Sequence, residues 1–444
     1  MNARLPQLAA ALALVLTSAV AQASLKIQHW TTPQGTPVYF VETHALPIVD
    51  VQVDFRAAGM EAPAGKAGIA GLTHGLLGAG AGGLSEQAIS DRVADLGVQL
   101  GGGVDMDRAS LNLRTLSNPA ERDAAVALLA TLIQKPNFEP ALFERNQARL
   151  VSGLKEALTQ PDALLSRSFN QAIYPSHPYG RVPTVETLES ITRDEVQAFY
   201  RANYTARRAS VSIVGDLSRA DAEALALRLT EGLPAGEPAP VSRNQTLPDQ
   251  QQIRLPHPAA QAHIALGMPA IRRGDPDFFP LLVGNYVLGG GGFVSRLTKE
   301  VRDKRGYAYS VYSYVMPQRD VGSFQIGLQT KGSQVDDALK VVNRVLDDFL
   351  AQGPTAAEVQ AAKDNLVNGF ALRLDSNRKM LEQVAVIGNF GLPLDYLDTY
   401  QDKVKAVTPT QIREAFQRHV QRQHLVTVVV GGDGDKGAAR GTAP

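Results

Sequence analysis

Asp194-Glu195-Val196-Gln197-Ala198-Phe199 runs through Tyr204 into Ala209-Ser210-Val211-Ser212-Ile213-Val214-Gly215-Asp216, the pattern of a helix that feeds an alternating strand. Near the other end of the chain, Thr410-Gln411-Ile412-Arg413-Glu414-Ala415-Phe416 runs into Leu425-Val426-Thr427-Val428-Val429-Val430-Gly431-Gly432-Asp433. The spacing is almost the same: Phe199 precedes Gly215 by 16 positions and Phe416 precedes Gly431 by 15. Two copies of one helix-to-strand unit predict a duplicated chain. Between the copies, residues 233–249 are rich in Pro, Ala, Gly and polar side chains without periodicity, which reads as a linker. The expected organisation is one domain over 24–232, a second over 250–435, and a flexible tail over 436–444.

Within the first half the same kind of reading continues outward. Residues 38–55 alternate as strands, 68–77 and 85–96 have helical periodicity, and 98–116 read as strand, turn and strand. Helices follow over 118–134 and 140–159, the latter with Pro140 in its first turn and Pro161 just past its end. The predicted class is α+β, two homologous domains, each with helices packed on a mainly antiparallel sheet.

Composition narrows the function. Of 444 residues, 44 are basic and 44 acidic, so no net field draws the chain to nucleic acid or to an anionic membrane. The chain has no cysteine, which removes disulfides, thiolate metal sites and a cysteine nucleophile together; eight histidines remain as nitrogen ligands. Residues 1–23 carry an early Arg4, an apolar run over 8–20, and Ala21-Gln22-Ala23 before Ser24, the pattern of a cleaved export signal. A periplasmic location with no membrane contact after signal removal is expected. Gly78, Gly80 and Gly83 satisfy a G-x-G-x-x-G spacing but follow a helix instead of a strand, and Gly65-Lys66 is followed by Ala67, so no nucleotide site is indicated. Asp105 and Asp107 fall between two strand patterns and read as a turn.

Two motifs carry the functional reading. The stretch Leu288-Gly289-Gly290-Gly291-Gly292-Phe293-Val294-Ser295-Arg296-Leu297-Thr298-Lys299-Glu300-Val301-Arg302-Asp303-Lys304-Arg305-Gly306-Tyr307-Ala308-Tyr309-Ser310-Val311 encodes helix, turn and strand locally. Ser295 suits the N-cap, Leu297 and Val301 lie one turn apart on a buried face, and Gly306 suits a left-handed stop behind basic Lys304 and Arg305. The other stretch is Gly68-Ile69-Ala70-Gly71-Leu72-Thr73-His74-Gly75-Leu76-Leu77-Gly78-Ala79-Gly80-Ala81.

Both stretches resemble the pitrilysin and insulinase family of metallopeptidases in its short bacterial, two-domain form. The first is similar to the family's second-domain signature S-S-R-L-x-x-E-L-R-E-K-R-G-L-A-Y-S-V. The second matches the frame of G-x-A-H-F-L-E-H-M-L-F-K-G-T, in which two histidines hold zinc and the glutamate between them activates water. Here Gly71 and Gly75 stand at the histidine positions and His74 at the glutamate position. The family's third ligand, a glutamate on a later helix, falls at Gly153. The resemblance therefore implies no metal in this chain, with zinc carried by a family sibling in a heterodimer. It implies that Arg302 and Tyr309 act in trans on that sibling's site, on substrate and oxyanion respectively, and that Gly289, Gly290, Gly291 and Gly292 handle unfolded peptide substrates. A crippled site of His74 and Glu156, a stand-alone peptide-binding clamp, and an active homodimer with unconventional ligands are the alternatives. Read by themselves, Gly71 and Gly75 predict a smooth helix face for close packing, at about 1 kcal/mol each relative to alanine.

Overall fold

The computed structural model describes residues 25–240 and 245–432, so the export signal over 1–23 and the tail over 436–444 lie outside the described residues. The chain begins with a hairpin of β1 (Gln28–Thr31) and β2 (Pro37–Glu42), followed by β3 (Ile48–Phe55). In β3, Val49, Val51, Val53 and Phe55 alternate with Asp50, Gln52 and Asp54, so one face joins the apolar core and the other is polar yet buried. Arg114 and Arg108 compensate that polar face, Arg114 with a two-pronged grip on Asp50 at 2.7 and 3.0 Å and Arg108 on Asp54 at 3.0 Å. Next come α1 (Ile69–Leu77), the two-residue strands β4 (Gly80–Ala81) and β5 (Leu84–Ser85), and α2 (Glu86–Asp95). After α2 come β6 (Gln99–Val104), β7 (Ala109–Leu116), α3 (Pro119–Gln134) and α4 (Pro140–Ala157). Pro161 both ends the preceding helix and opens α5 (Pro161–Ile173), a helix that the sequence pattern alone does not announce. The half closes with α6 (Val185–Glu189), α7 (Arg193–Asn203), β8 (Ala209–Gly215) and α8 (Arg219–Thr230).

The second half repeats the plan. It comprises β9 (Gln251–Leu255), β10 (Gln261–Ile271), α9 (Phe278–Asn285), two wide helical turns at Tyr286–Gly290 and Thr298–Asp303, β11 (Ala308–Met316) and β12 (Gly322–Lys331). Then α10 (Val335–Gln352), α11 (Ala356–Asn368), α12 (Asn377–Phe390), α13 (Tyr396–Ala406), α14 (Pro409–His419) and β13 (Val426–Gly431) complete it.

Sheet order establishes the duplication. The first sheet runs β1-β2-β8-β3-β7-β6 and the second β11-β12-β10-β13-β9. Read from its far end, the second sheet places β9, β13, β10, β12 and β11 where the first has β2, β8, β3, β7 and β6. Directions agree as well: β8 lies parallel to β2 with Val211 opposite Val38, and β13 parallel to β9 with Val428 opposite Ile253, while the remaining pairs of these five strands are antiparallel. The α+β class and the two homologous halves stand as the sequence predicts.

Each half covers the other's sheet. Helix α12, from the second half, lies on β2, β3 and β8, with Gly388 so close to the Tyr39 ring that a Cβ there would come within 2.7 Å. Helix α5, from the first half, lies on β10 and β13, where Phe169 and Ile173 join Ala265, Val426, Val428 and Val430 in a small core of their own. The exchange hides the second face of both sheets.

Candidate functional site

Helix and turn positions set the Arg302–Tyr309 site. The Ser295 hydroxyl donates to Gly292 O at 2.8 Å and accepts from Thr298 N at 3.4 Å, which starts the helical segment behind it. Leu297 and Val301 are fully buried beneath that segment. Gly306, at φ +64°, donates its N–H to Arg302 O at 2.8 Å, and Tyr307 N donates to Val301 O at 3.0 Å, closing the helix and turning the chain into β11. Glu300 is held by Lys304 and by Arg305, whose hydrogen bonds keep its carboxyl below the usual range. Arg302 is left without a carboxylate within 4.0 Å among the described residues. Its guanidinium lies instead between two rings, 4.8 Å from the Phe293 centroid and 5.4 Å from that of Tyr309. Phe293 is 72% exposed and Tyr309 87%, so a phenol hydroxyl stands open to solvent beside a half-buried cation that borders a hollow of ≈ 200 Å³.

The glycine run separates into two parts. Gly289 is buried, and a Cβ on it would lie 2.5 Å from Ser313 N; at Gly290 and Gly291 the obstacles are Asn285 and Tyr286. These three glycines allow the wide turn to close against β11. Gly292, at φ +61° with open space around it, is the one of the four that borders the hollow beside Phe293, Thr298, Arg302 and Tyr309. The aromatic neighbour Phe293 is the functional candidate that sequence reading passed over; its apolar side chain directly after four glycines, where exposure is hard to avoid, is the signal that could have flagged it.

Gly71 and Gly75 lie on the exposed side of α1, and Gly153 on the exposed side of α4, which packs against α1. A Cβ at any of the three meets nothing within 4 Å. The expectation of a smooth face for close packing is therefore corrected: no neighbour approaches these glycines, and the missing side chains leave space. Gly101 and Gly103 on the outer strand β6, which adjoins α1, are equally open. His74 turns the other way. Its Nε2 donates to Ser110 O at 2.9 Å, and burial pushes its pKa down. Glu156 is exposed, and no group of three or more potential ligand residues among the described residues includes it and His74. Among the described residues, the acid and histidine group close enough to bracket an ion is Asp275, Asp277 and His419, far along the chain from the motif. There Arg418 already grips both oxygens of Asp277 at 2.8 and 2.9 Å, so a cation's place is filled by a guanidinium.

Asp105 does form the expected turn, its Oδ1 accepting from the amides of Asp107 and Arg108 at 2.7 and 2.8 Å. Asp107 has a further role: it accepts from the Tyr179 hydroxyl and from Arg319 N at 3.0 Å, across the boundary between the halves.

A duplicated α+β chain with an open Arg–Tyr turn, and with Gly71, Gly75 and Gly153 at the three positions where the resemblance expects metal ligands, has the outline of a metallopeptidase-like protein. The profile described as peptidase M16 inactive domain matches residues 190–366. The crystal structure of a peptidase M16 inactive domain from Pseudomonas fluorescens superimposes with a TM-score of 0.88 at 32% identity, over 92% of this chain and 98% of that one. A Helicobacter pylori protein named non-peptidase homolog YmxG is 24% identical over 413 residues, 92% of this chain and 95% of that one. An uncharacterized zinc protease of Streptomyces coelicolor is 32% identical over 264 residues, and there the chain spans only 57% of the relative's length. The chain belongs to the pitrilysin-type peptidase M16 family, as one of its non-catalytic, inactive-domain members. No helix among the described residues is long and apolar enough to cross a membrane.

Proposed function

We propose that this chain is the zinc-free subunit of an exported metallopeptidase, pairing with a zinc-bearing sibling to enclose a chamber in which unfolded peptides are cut. The observation that carries the reading is a contrast between two sites in one chain. Each ligand position is a glycine open to space, whereas Tyr309 is exposed and Arg302, half-buried between the Phe293 and Tyr309 rings, has no carboxylate partner among the described residues. Arg302 and Tyr309 touch each other through the guanidinium and the ring, and neither the guanidinium's hydrogen-bond donors nor the phenol hydroxyl is spent on an ion pair with the turn among the described residues. Arg302 holds a peptide carbonyl or carboxylate by charge-assisted hydrogen bonds, and the Tyr309 hydroxyl donates to the oxygen that gains negative charge as the scissile carbonyl is attacked. The attacking water and its metal belong to the partner. Gly292 leaves the approach to the pair unobstructed. Export through residues 1–23 places the assembly in the periplasm.

The test is purification of the tagged, untagged-partner complex from native cells, followed by metal analysis of the complex and of the isolated chain. The expected result is an equimolar second chain containing H-x-x-E-H, zinc in the complex alone, and chelator-sensitive peptide hydrolysis by the complex alone. Recovery of homodimers only, with peptide binding and no hydrolysis, would replace the proposal with a stand-alone clamp.

A further inference from the structure

A second cavity, sharing no lining residue with the Arg302–Tyr309 hollow, lies in the second half where the chain leaves β10, enters α9, and later turns from α12 into α13. Its volume is ≈ 450 Å³, within the range that buries a small organic ligand. Phe278, Phe279, Leu392 and Tyr396 supply its walls, and Arg273 and Lys403 are its cations. Neither cation has a carboxylate within 4.0 Å among the described residues. The Arg273 guanidinium lies 5.5 Å from the Phe278 ring centre and 5.1 Å from that of Phe390, and its Nε is buried without a hydrogen-bond partner. Lys403 Nζ stands 5.7 and 6.0 Å from the Phe279 and Tyr396 ring centres. The cavity's acid, Asp275, is engaged elsewhere: one oxygen accepts from Asp277 N at 2.8 Å and lies 3.9 Å from His419 Nε2.

An arginine donor left unsatisfied against apolar walls is costly unless something completes it. Because Asp275 faces His419 and the Asp277 amide, it completes neither cation, and an anion seated between Arg273 and Lys403 would do so. A planar carboxylate matches the guanidinium fork, and the rings call for a hydrocarbon or aryl body.

We propose that this cavity binds a small apolar monocarboxylate, its carboxylate held by Arg273 and Lys403 and its body against Phe278, Phe279 and Leu392. The site is independent of the peptidase assembly and requires no partner chain.

Titration calorimetry of the purified chain with decanoate, with decan-1-ol as the uncharged control, tests it. Saturable binding of one decanoate, at least about tenfold tighter than decanol, is expected from the loss of a charge-assisted pair. Arg273→Met and Lys403→Met should each weaken decanoate about tenfold, leaving decanol unchanged, and Leu392→Trp should block both by filling the cavity. Lys403 is exposed on α13, so its variant folds even if the Arg273 variant does not. Equal binding of decanoate and decanol, decanoate binding indifferent to Lys403→Met and Leu392→Trp, or binding of an apolar peptide with a free C-terminus but not of decanoate would each overturn the proposal.

Discussion

Tyr309 presents its hydroxyl on a ring that is 87% exposed and touched by Arg302, with no hydrogen bond to that hydroxyl among the described residues, so removing the oxygen tests chemistry with little effect on folding. Tyr309→Phe should lower turnover of the reconstituted mixed complex by about 10- to 1000-fold, the cost of one oxyanion donor, with unchanged thermal stability. Unchanged turnover would return the residue to a structural role. The glycines allow the converse experiment. Because a Cβ at Gly71, Gly75 or Gly153 meets nothing within 4 Å beyond its chain neighbours and its own helix backbone, side chains can be added there without a clash against another element. The triple variant Gly71→His, Gly75→His, Gly153→Glu should bind one zinc per chain by elemental analysis, two imidazoles one helical turn apart plus a carboxylate from the adjoining helix being a sufficient set. Zinc at the level of the parent chain would show that α1 and α4 do not hold these positions within coordination distance.

Helix α7 and helix α14 begin with the same device, one in each half. Thr192 accepts from Glu195 N while Glu195 Oε2 accepts from Thr192 N at 2.8 Å; Thr408 and Gln411 repeat the exchange, with Gln411 Oε1 accepting from Thr408 N at 2.9 Å. Each helix then feeds the strand that lies parallel to an early strand of its own half, β8 beside β2 and β13 beside β9. Thr192→Ala and Thr408→Ala should each cost about 1 kcal/mol in urea denaturation, and their sum should hold in the double variant because the two sites are separate. These elements were legible because their signals are local: a cap, an apolar stripe, an alternating run. Helix α5 was not. Its Pro161 reads equally as the end of one helix and the start of the next, and the surface that rewards a helix there belongs to the sheet of the other half.

Across the whole molecule, the exchange of α5 and α12 makes the halves one cooperative body, and a buried polar chain reinforces it. The Tyr179 hydroxyl donates to Asp107 and accepts from Asp320 N at 3.1 Å, while His177 Nδ1 accepts from Tyr179 N at 3.2 Å, leaving its Nε2–H to donate to Asp320 at 2.9 Å. Tyr179→Phe strips a donor from a buried carboxylate and an acceptor from a buried amide. It should cost about 1–3 kcal/mol and broaden or divide the calorimetric unfolding transition. The polar face of β3 sets a pH dependence. Burial raises the Asp54 carboxyl from 3.8 to about 6, against the opposing pull of Arg108 and Gln52, and Asp105 adds to the rise. A raised acid stabilises the fold below its unfolded pKa and loses that contribution as pH rises through the folded one. Between pH 4 and 6 Asp54 should therefore withdraw up to about 3 kcal/mol, with Asp107 acting in the same direction. Urea curves across this window should fall more steeply for the parent chain than for Asp54→Asn; parallel curves would discount the effect.

The sequence by itself determined the duplicated α+β plan and the Arg302–Tyr309 turn, because periodicity and capping act over a few residues, and its resemblance to the family put glycine where ligands are expected. Only the tertiary structure decided that the glycines open onto space instead of packing, that Phe293 and Tyr309 flank an unpaired Arg302, and that each half closes the other's sheet. Those outcomes depend on which surfaces meet across hundreds of residues, and burial between distant segments leaves no periodic trace in either one.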